Sequence, residues 1–422
     1  MKWYCRIYPD KGILKAAASY DREELSEQHF LLNRDFAIHE IRCDGTKVVP
    51  EITLVKINGW YMEYCVQKVA VPGNFKNLEI FYTGRLSGNT GAFPYVREQI
   101  TTEFTFIRWE TFPYPFFCEN DKDEIFGKLP VRGNGCITVT VPDGYEVIAT
   151  ERLKSRIVQA DSVQFAYEGS LAVNNFNCSI APYKKVTTTV GTFFLLNDCL
   201  NIDVEDIMKK AHEFMNSHFG VRNIAADTVY AAIPENFGNF ASADAGVVYV
   251  QESTFASARA MGMIIHEFIH LGWNAKAEGI VQRMRFFDEA FTCYFQMRVM
   301  EVLTGDNDLV HYYINSYRQQ MNSGKYELVP ISEFGKYEYG DLNYTIGPVF
   351  LYELCSFIGE ARFDKITEVF LRKYKDIPVS LETFCNEYAE GVDACCRDAL
   401  KEFFNKWLYL TDECGKFLNR KD

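Results

Sequence analysis

The sequence predicts an α+β protein, with strands in its first half and mainly helices in its second half. Two observations lead to this prediction. Short segments rich in β-branched and aromatic residues, separated by turn residues, fill the chain up to about residue 195. From about residue 204, apolar residues recur at helical spacing instead. With 422 residues, the chain is long enough for two or three domains.

The predicted strands of the first half follow one another at fairly regular intervals. Asp44-Gly45 and Asp143-Gly144 fit tight hairpin turns between strands. Such a series without a long helical pattern indicates an antiparallel domain, either a sandwich or a saddle-shaped sheet. The predicted strands are residues 48–57, 60–71, 77–83, 135–141, 145–150, 162–167 and 185–194.

The second half begins with a predicted helix over residues 204–219, for which Asn201 or Asp203 can serve as N-cap. Two strands are predicted next, at residues 227–233 and 246–250. A small sheet followed by helices places a domain boundary near residue 186, so the predicted domains are residues 1–186 and 187–422. The later predicted helices are residues 284–303, 308–321, 343–358, 361–374, 381–388 and 395–410.

Composition and charge narrow the class of protein. Aromatic residues make up 15% and charged residues 24% of the chain, which is typical of a folded globular protein. The net charge of −13 argues against nucleic acid or an anionic membrane as a partner. The 13 cysteines have no paired spacing, which indicates free thiols in a reducing compartment. Because no apolar segment has the length of a signal or a membrane span, we expect a cytoplasmic protein.

The main chemical signal is His266-Glu267-Phe268-Ile269-His270, followed by Glu289. Two histidines four residues apart lie on one face of a helix and can reach the same point. Two imidazoles and one carboxylate around a divalent ion leave a fourth position for water, which is the arrangement of a catalytic zinc site. The sequence therefore predicts Zn²⁺ as cofactor, with His266, His270 and Glu289 as its ligands.

Glu267 follows the first histidine and is placed to take a proton from water at the metal, which makes it the candidate general base. HExxH arises by chance in about one of a hundred chains of this composition, and a glutamate at the right distance lowers this to roughly one in a thousand. The alternative for each histidine alone is a core residue with a protein partner. Because the flanking residues are apolar, buried histidines here need partners, and a metal is one.

These motifs resemble the aminopeptidase N family of gluzincin zinc metallopeptidases. The family's pattern HExxH-x18-E is matched by His266, Glu267, His270 and Glu289, and Asp288-Glu289-Ala290-Phe291-Thr292 resembles its Asn-Glu-Gly-Phe-Ala. Further similar phrases are Phe30-Leu31-Leu32-Asn33, Ile80-Phe81-Tyr82-Thr83-Gly84, Phe112-Pro113-Tyr114-Pro115 and Phe403-Phe404-Asn405-Lys406-Trp407-Leu408. The resemblance implies an N-terminal antiparallel β domain, a thermolysin-like α+β zinc-peptidase domain and no C-terminal helical-repeat domain.

The resemblance also implies a role for a tyrosine beside the ligands. The family has Tyr-x-Lys-Gly after the glutamate ligand, and Tyr344-Thr345-Ile346-Gly347 keeps the tyrosine and glycine but has Ile346 in place of lysine. The phenol of Tyr344 would donate to the oxygen that becomes negative during hydrolysis, a contribution of about 2.7–4 kcal/mol. The alternative for Tyr344 is a packing role. Asp288 is a candidate partner that orients a ligand histidine.

One family phrase is missing. Its aminopeptidases carry Gly-Ala-Met-Glu-Asn before the zinc helix, and the glutamate holds the free α-amine of the substrate. Aligned on Gly246 without a gap, the glutamate position falls on Ala243, and a shift of one residue places it on Asp244. Asp244 is therefore the candidate substrate-binding residue, with a turn residue as the alternative. Weaker candidates for the amine contact are Glu110, Glu235 and Glu252.

The predicted function is a zinc metallopeptidase acting on peptides, in the first place as an aminopeptidase. The missing phrase leaves an endopeptidase or a peptidase of narrow specificity as an alternative. Trp273-Asn274 resembles the glycyl aminopeptidase family, but the glutamate ligand of that family follows at a longer interval. A non-enzymatic binding protein with the same fold is a further alternative, although Glu267 would have no purpose in a purely structural zinc site. The sequence predicts no oligomeric state.

Overall fold

A computed structural model shows an α+β protein, as predicted. It describes residues 2–21, 28–58, 63–71, 75–86, 96–118, 132–172, 176–197, 200, 203–221, 228–238, 240–244, 246–256, 261–272, 286–324, 327–333, 342–374 and 379–410. The chain divides into two compact units. The first contains Met1–Thr187, Thr192–Leu200 and Val229–Phe255, and the second contains Thr188–Gly191, Asn201–Thr228 and Ala256–Asp422. The predicted domain division at residue 186 stays a prediction.

Three sheets of the first unit are formed by the strands before residue 182. The strands are β1 (Lys2–Tyr8), β2 (Ile13–Asp21), β3 (His29–Asn33), β4 (Ala37–Cys43), β5 (Thr46–Val48), β6 (Glu51–Asn58), β7 (Glu63–Ala70), β8 (Asn77–Gly84), β9 (Thr105–Ile107), β10 (Arg132–Pro142), β11 (Glu146–Ala149), β12 (Leu153–Val158), β13 (Ser162–Ala172) and β14 (Cys178–Ala181). Their orders are β12-β13-β10-β1-β2-β8-β4-β5, β3-β7-β6 and β11-β14-β9.

One pair in the eight-stranded sheet departs from the predicted antiparallel arrangement. β1 pairs with β10 in parallel, with Lys2 opposite Cys136. These two strands are far apart in the sequence, so no tight hairpin forces them to run in opposite directions. The same sheet buries alternate side chains, and Trp3 lies in its core, where its indole N–H donates to the Tyr82 hydroxyl at 2.7 Å.

The two predicted hairpin turns have different outcomes. Asp44 and Gly45 both have positive φ, 49° and 78°, and join the antiparallel pair β4 and β5, as the sequence predicts. Gly144 also has a positive φ of 86°, but Asp143-Gly144 leads from β10 in the eight-stranded sheet to β11 in a different sheet. The second turn is therefore real but does not close a hairpin.

A five-stranded sheet of mixed direction follows. Its strands are β15 (Lys184–Thr188), β16 (Gly191–Leu195), β17 (Val229–Ile233), β18 (Ser242–Asp244) and β19 (Val247–Gln251), in the order β15-β16-β17-β19-β18. The predicted strand at residues 185–194 is interrupted after Thr188, where Gly191 has a φ of 144°. β17 and β19 match the two predicted strands of the second half and pair in parallel.

The second unit is helical, as the apolar spacing predicts. Its helices are α1 (Asp203–Phe219), α2 (Met261–Gly272), α3 (Phe291–Thr304), α4 (Leu309–Asn322), α5 (Ile346–Ile358), α6 (Glu360–Tyr374), α7 (Leu381–Gly391) and α8 (Arg397–Tyr409). A π-helical turn, Phe286–Ala290, leads directly into α3. Trp407 of α8 is fully buried and packs on Phe350 of α5. Within the described part of the chain, no helix is long and apolar enough to cross a membrane.

Candidate metal centre

The structure brings the three predicted ligands together in the second unit. His266 and His270 lie on one face of α2, and Glu289 comes from the π-helical turn. The Nε2 atoms of the two histidines are 3.1 Å apart. The Oε2 atom of Glu289 lies 3.2 Å from Nε2 of His266 and 3.4 Å from Nε2 of His270. Three potential ligand atoms therefore face a common point.

The π-helical turn lets two consecutive carboxylates reach the same imidazole from opposite sides. Glu289 faces Nε2 of His270, and Asp288 accepts a hydrogen bond from its Nδ1 at 2.8 Å. The Thr292 hydroxyl donates to the backbone oxygen of Asp288 at 2.6 Å and lies 3.2 Å from the same Nδ1. The contact that the sequence predicts between Asp288 and a ligand histidine is thus present, and π-helical turns are frequent at functional sites.

His266 has a different partner, which the sequence analysis missed. Its Nδ1 atom lies 3.1 Å from Oε1 of Gln296, on α3. Gln296 follows Glu289 by seven residues, or about two helical turns, so a search for polar residues on the ligand's helix face would have found it.

The donor set can be tested for its fit to zinc. Because the ionised Asp288 only accepts, a neutral His270 carries its proton on Nδ1 and presents a lone pair on Nε2. A neutral His266, with Nδ1 bonded to Gln296, also presents a lone pair on Nε2, so the deprotonated cluster offers three acceptor atoms. A bound cation would offset the electrostatic cost of bringing these acceptor atoms together in a buried site. Tetrahedral zinc with bonds of about 2.0–2.2 Å separates its ligand atoms by roughly 3.3–3.5 Å, close to the distances found, so the residues fit.

Burial and charge shape the protonation of these groups. Burial lowers the pKa of His270, but the carboxylates of Asp288 and Glu289 raise it further, to about 9. Burial likewise lowers the pKa of His266, but the thiol of Cys293 and the carboxylate of Glu289 raise it well above its ordinary value. The imidazoles in turn hold the pKa of Glu289 well below its ordinary value against the effect of burial. Protons therefore compete with a metal for the histidines.

Glu267 lies beside the cluster on the same helix and is 6% exposed. Burial raises its pKa above the ordinary value, and the neighbouring imidazoles of His270 and His266 offset part of that rise. A carboxylate with a raised pKa is a better proton acceptor. The side chain that the motif assigns as general base therefore has an environment that suits proton transfer.

Tyr344 also lies at the cluster. Its ring is stacked on that of His266, with centroids 6.3 Å apart and planes at 21°. Gly347, three residues later, contacts the turn that carries Glu289, because a Cβ at position 347 would lie 2.3 Å from Cβ of Ala290. A glycine is required there for α5 to approach the π-helical turn closely, and this approach brings Tyr344 and Glu289 into one site.

Comparison with solved structures identifies the fold. Crystal structures of an M1 zinc metallopeptidase from Deinococcus radiodurans, one of them a mutant bound to a Tyr-Ser-Ala substrate, match 97% of this chain and 93% of theirs. The TM-score is 0.66 and the sequence identity 13%. A two-domain M1 zinc metallopeptidase mutant bound to L-tryptophan matches with a TM-score of 0.63 and 14% identity, over 95% of this chain and 92% of its own. The chain has the M1 zinc metallopeptidase fold.

No protein-family model and no curated protein sequence matches the chain. In this M1 fold, Asp244 is the last residue of β18, opposite Val247 of β19, in the first unit. It therefore belongs to a strand and lies just before the turn that Gly246 makes with a φ of 86°. Trp273-Asn274 lies outside the described residues.

The three weaker candidates for the amine contact have local partners in the first unit. Glu110 lies 3.6 Å from the guanidinium of Arg108. Glu235 accepts a hydrogen bond from the backbone N–H of Ser253 at 2.9 Å, and Glu252 accepts two from Asn197, each at 2.5 Å. These contacts give all three carboxylates a structural purpose.

Proposed function

We propose that this protein is a zinc-dependent peptidase that hydrolyses peptide bonds, and specifically an aminopeptidase that removes residues from the N-termini of peptides. The observation that carries the proposal is the convergence of three acceptor atoms, at 3.1–3.4 Å, beside the buried Glu267. The M1 zinc metallopeptidase fold supports it, as do the peptide and amino acid bound to the structurally similar proteins.

His266, His270 and Glu289 would hold the zinc ion. When bound, the ion supplies Lewis-acid chemistry, lowering the pKa of water and polarising a carbonyl oxygen. Glu267 takes the proton released as water attacks the peptide carbon, holds it on its carboxylate and donates it to the leaving amine. Burial, which raises its pKa, favours the first of these steps. The Tyr344 phenol donates a hydrogen bond to the carbonyl oxygen as that oxygen gains negative charge.

Specificity for a free N-terminus is assigned to Asp244. Its carboxylate is one methylene shorter than the family's glutamate, so the substrate's α-amine has to approach the strand backbone more closely. Peptides are the proposed substrates, with no nucleic acid or membrane partner, because the chain is acidic. The proposed location is the cytoplasm.

The test is hydrolysis of a panel of aminoacyl fluorogenic amides by the purified, zinc-loaded protein. Matching N-acetylated amides and a chelator-treated sample run beside it. We expect chelator-sensitive cleavage of the free-amine substrates alone. Asp244→Ala should then raise KM for those substrates with little change in zinc content, whereas Glu235→Ala, which removes a structurally engaged carboxylate, should leave KM unchanged.

Two other outcomes would redirect the proposal. Chelator-sensitive cleavage of the acetylated amides would identify an endopeptidase and remove the need for an amine-binding carboxylate. A protein that binds zinc but cleaves neither panel would favour a narrow-specificity peptidase or a binding protein, and longer peptides would separate these two.

A further inference from the structure

Gln296 connects the two helices of the metal centre. Its side-chain Nε2 donates to the backbone oxygen of Gly262 at 2.8 Å, and its Oε1 accepts from Nδ1 of His266 at 3.1 Å. Gly262 lies four residues, or about one helical turn, before His266 on α2. A single amide on α3 therefore binds the backbone of the zinc helix and the ring of one of its histidines.

The contact with Gly262 fixes which way the amide points. A carbonyl oxygen only accepts hydrogen bonds, so the amide nitrogen must face it and the amide oxygen must face His266. Glycine makes room for this contact, because a Cβ at position 262 would lie 3.0 Å from Nε2 of Gln296. With an acceptor held against Nδ1, a neutral His266 keeps its proton on Nδ1, and the lone pair of its Nε2 lies on the side of Glu289, 3.2 Å away.

The two histidines are oriented by groups of different charge. The ring of His270 is held by the carboxylate of Asp288, whereas Nδ1 of His266 faces a neutral amide at 3.1 Å, with the Sγ atom of Cys293 farther away at 4.0 Å. Glutamine is long enough to span from α3 to both atoms, and it alone among neutral side chains of this length both donates to a carbonyl and accepts from an imidazole. Methionine has a similar length but cannot replace these hydrogen bonds, and glutamate keeps only the acceptor.

We propose that Gln296 is a positioning residue that holds His266 in the tautomer and orientation needed to bind zinc. The inference rests on the proposed zinc site and adds a residue that the HExxH motif does not contain. Without the acceptor, the His266 ring can rotate and exchange its proton. Zinc binding then has to order the ring, which makes the net binding free energy less favourable. Loss of such a supporting partner typically costs 10–100-fold in metal affinity.

The experiment compares Gln296→Met, Gln296→Glu and the wild type, with Gln319→Met as control because Gln319 is an exposed glutamine on α4. Zinc dissociation constants come from chelator competition, after thermal unfolding without metal has shown that each variant is folded. We expect zinc affinity to fall about 10–100-fold in Gln296→Met and to stay within a few-fold of the wild type in Gln296→Glu, which retains the acceptor. Gln319→Met should match the wild type.

A second readout follows the ring directly. In ¹⁵N spectra of the zinc-loaded protein, the Nδ1–H of His266 should be protected from exchange in the wild type and in Gln296→Glu, and should exchange rapidly in Gln296→Met. If Gln296→Met does not fold, the exchange rate in the wild type tests the proposal instead. The proposal is overturned if the Nδ1–H of His266 exchanges as fast as the ring N–H of the exposed His311.

The outcomes separate this inference from the proposed function. Equal zinc affinity in the wild type and Gln296→Met overturns the positioning role and leaves the zinc peptidase intact. Equally weak binding in both Gln296 variants also overturns it, because the acceptor would then be irrelevant. A wild-type protein that binds no zinc overturns the proposed function together with the inference.

Discussion

Two buried clusters of charged residues, one chosen from each unit, are neutralised differently. In the first unit, the guanidinium of Arg108 lies 3.3 Å from Glu98 and 3.6 Å from Glu110, and it stacks over the ring of Phe240 at 4.7 Å. Arg108 is 1% exposed and Glu98 is fully buried. In the second unit, the metal centre brings the carboxylate of Glu289 against the Nε2 atoms of His266 and His270.

The difference shows how composition separates a structural cluster from a binding site. Arginine keeps its charge at every accessible pH, so the first cluster has a permanent cation beside its two carboxylates. The second cluster consists of titratable groups, whose charge depends on protons or on a bound metal. Burying a carboxylate without a cation costs free energy. Of these two clusters, only the second depends on a proton or a bound ion for its positive charge.

The largest expected effect comes from breaking the second cluster. His270→Ala leaves two ligands, so zinc content, measured by elemental analysis after dialysis, should fall to background and hydrolysis should be lost with it. His311→Ala, at an exposed histidine of the same unit, is the control and should retain zinc. Full zinc content in His270→Ala would contradict the ligand assignment.

Glu267→Gln should separate binding of the metal from catalysis. The substitution keeps size but removes the proton acceptor, so kcat should fall by about 10²–10⁴-fold while zinc content stays at the wild-type level. Substantial turnover by this variant would show that another group acts as general base.

Breaking the first cluster should affect stability alone. Arg108→Met leaves Glu98 buried without its cation, and removal of one partner from a buried pair costs about 3–5 kcal/mol of unfolding free energy. Arg34→Met, which breaks the half-exposed pair of Arg34 with Asp35, should cost no more than about 1 kcal/mol. Urea unfolding measures both, and a zinc requirement for the stability of the Arg108 cluster would contradict the comparison.

Tyr344→Phe tests the hydrogen-bond donor at the metal centre. Loss of one oxyanion donor lowers kcat by about 10²–10³-fold, with KM and zinc content little changed. The ring still stacks on His266, so a purely packing role predicts an unchanged kcat. Tyr312→Phe, at an exposed tyrosine, serves as the control.

The most gradual effect concerns pH. In the metal-free protein the pKa of His270 lies at about 9, above its ordinary value, so its protonated form stabilises the fold at low pH and this contribution is lost as pH rises towards 9. Zinc displaces that proton, so zinc affinity should rise with pH up to about pH 9, by about tenfold per pH unit for each proton released. Chelator competition across pH 6–10 measures this, and a flat profile would show that His270 binds zinc without losing a proton.

Local patterns in the sequence predicted a large part of the fold. The helices α4 to α8 match segments that apolar spacing predicts, because that spacing requires one buried face whatever the partner. Strands β1 and β2 were not predicted, although their buried residues alternate with exposed ones as in a strand with one buried face.

In the metal centre, too, some features follow from local sequence and others depend on tertiary packing. The spacing of His266 and His270 places them on one helix face by geometry alone, and Glu289 follows from the motif. The roles of Gln296 and Gly347 could not be predicted from that spacing, because each depends on how close another helix approaches. The distance between α3 and α2 decides the first, and that between α5 and the π-helical turn decides the second.

The sequence by itself determined the α+β class, most helices and the residue types of the proposed zinc site, since helical and strand periods and a five-residue motif are local properties. Only the tertiary structure decided that β1 runs parallel to β10, that Asp143-Gly144 joins two different sheets, and that an amide from α3 orients His266. These features depend on which distant segments pack together. Such packing depends on the free energy of the whole core, and a local sequence pattern does not specify that free energy.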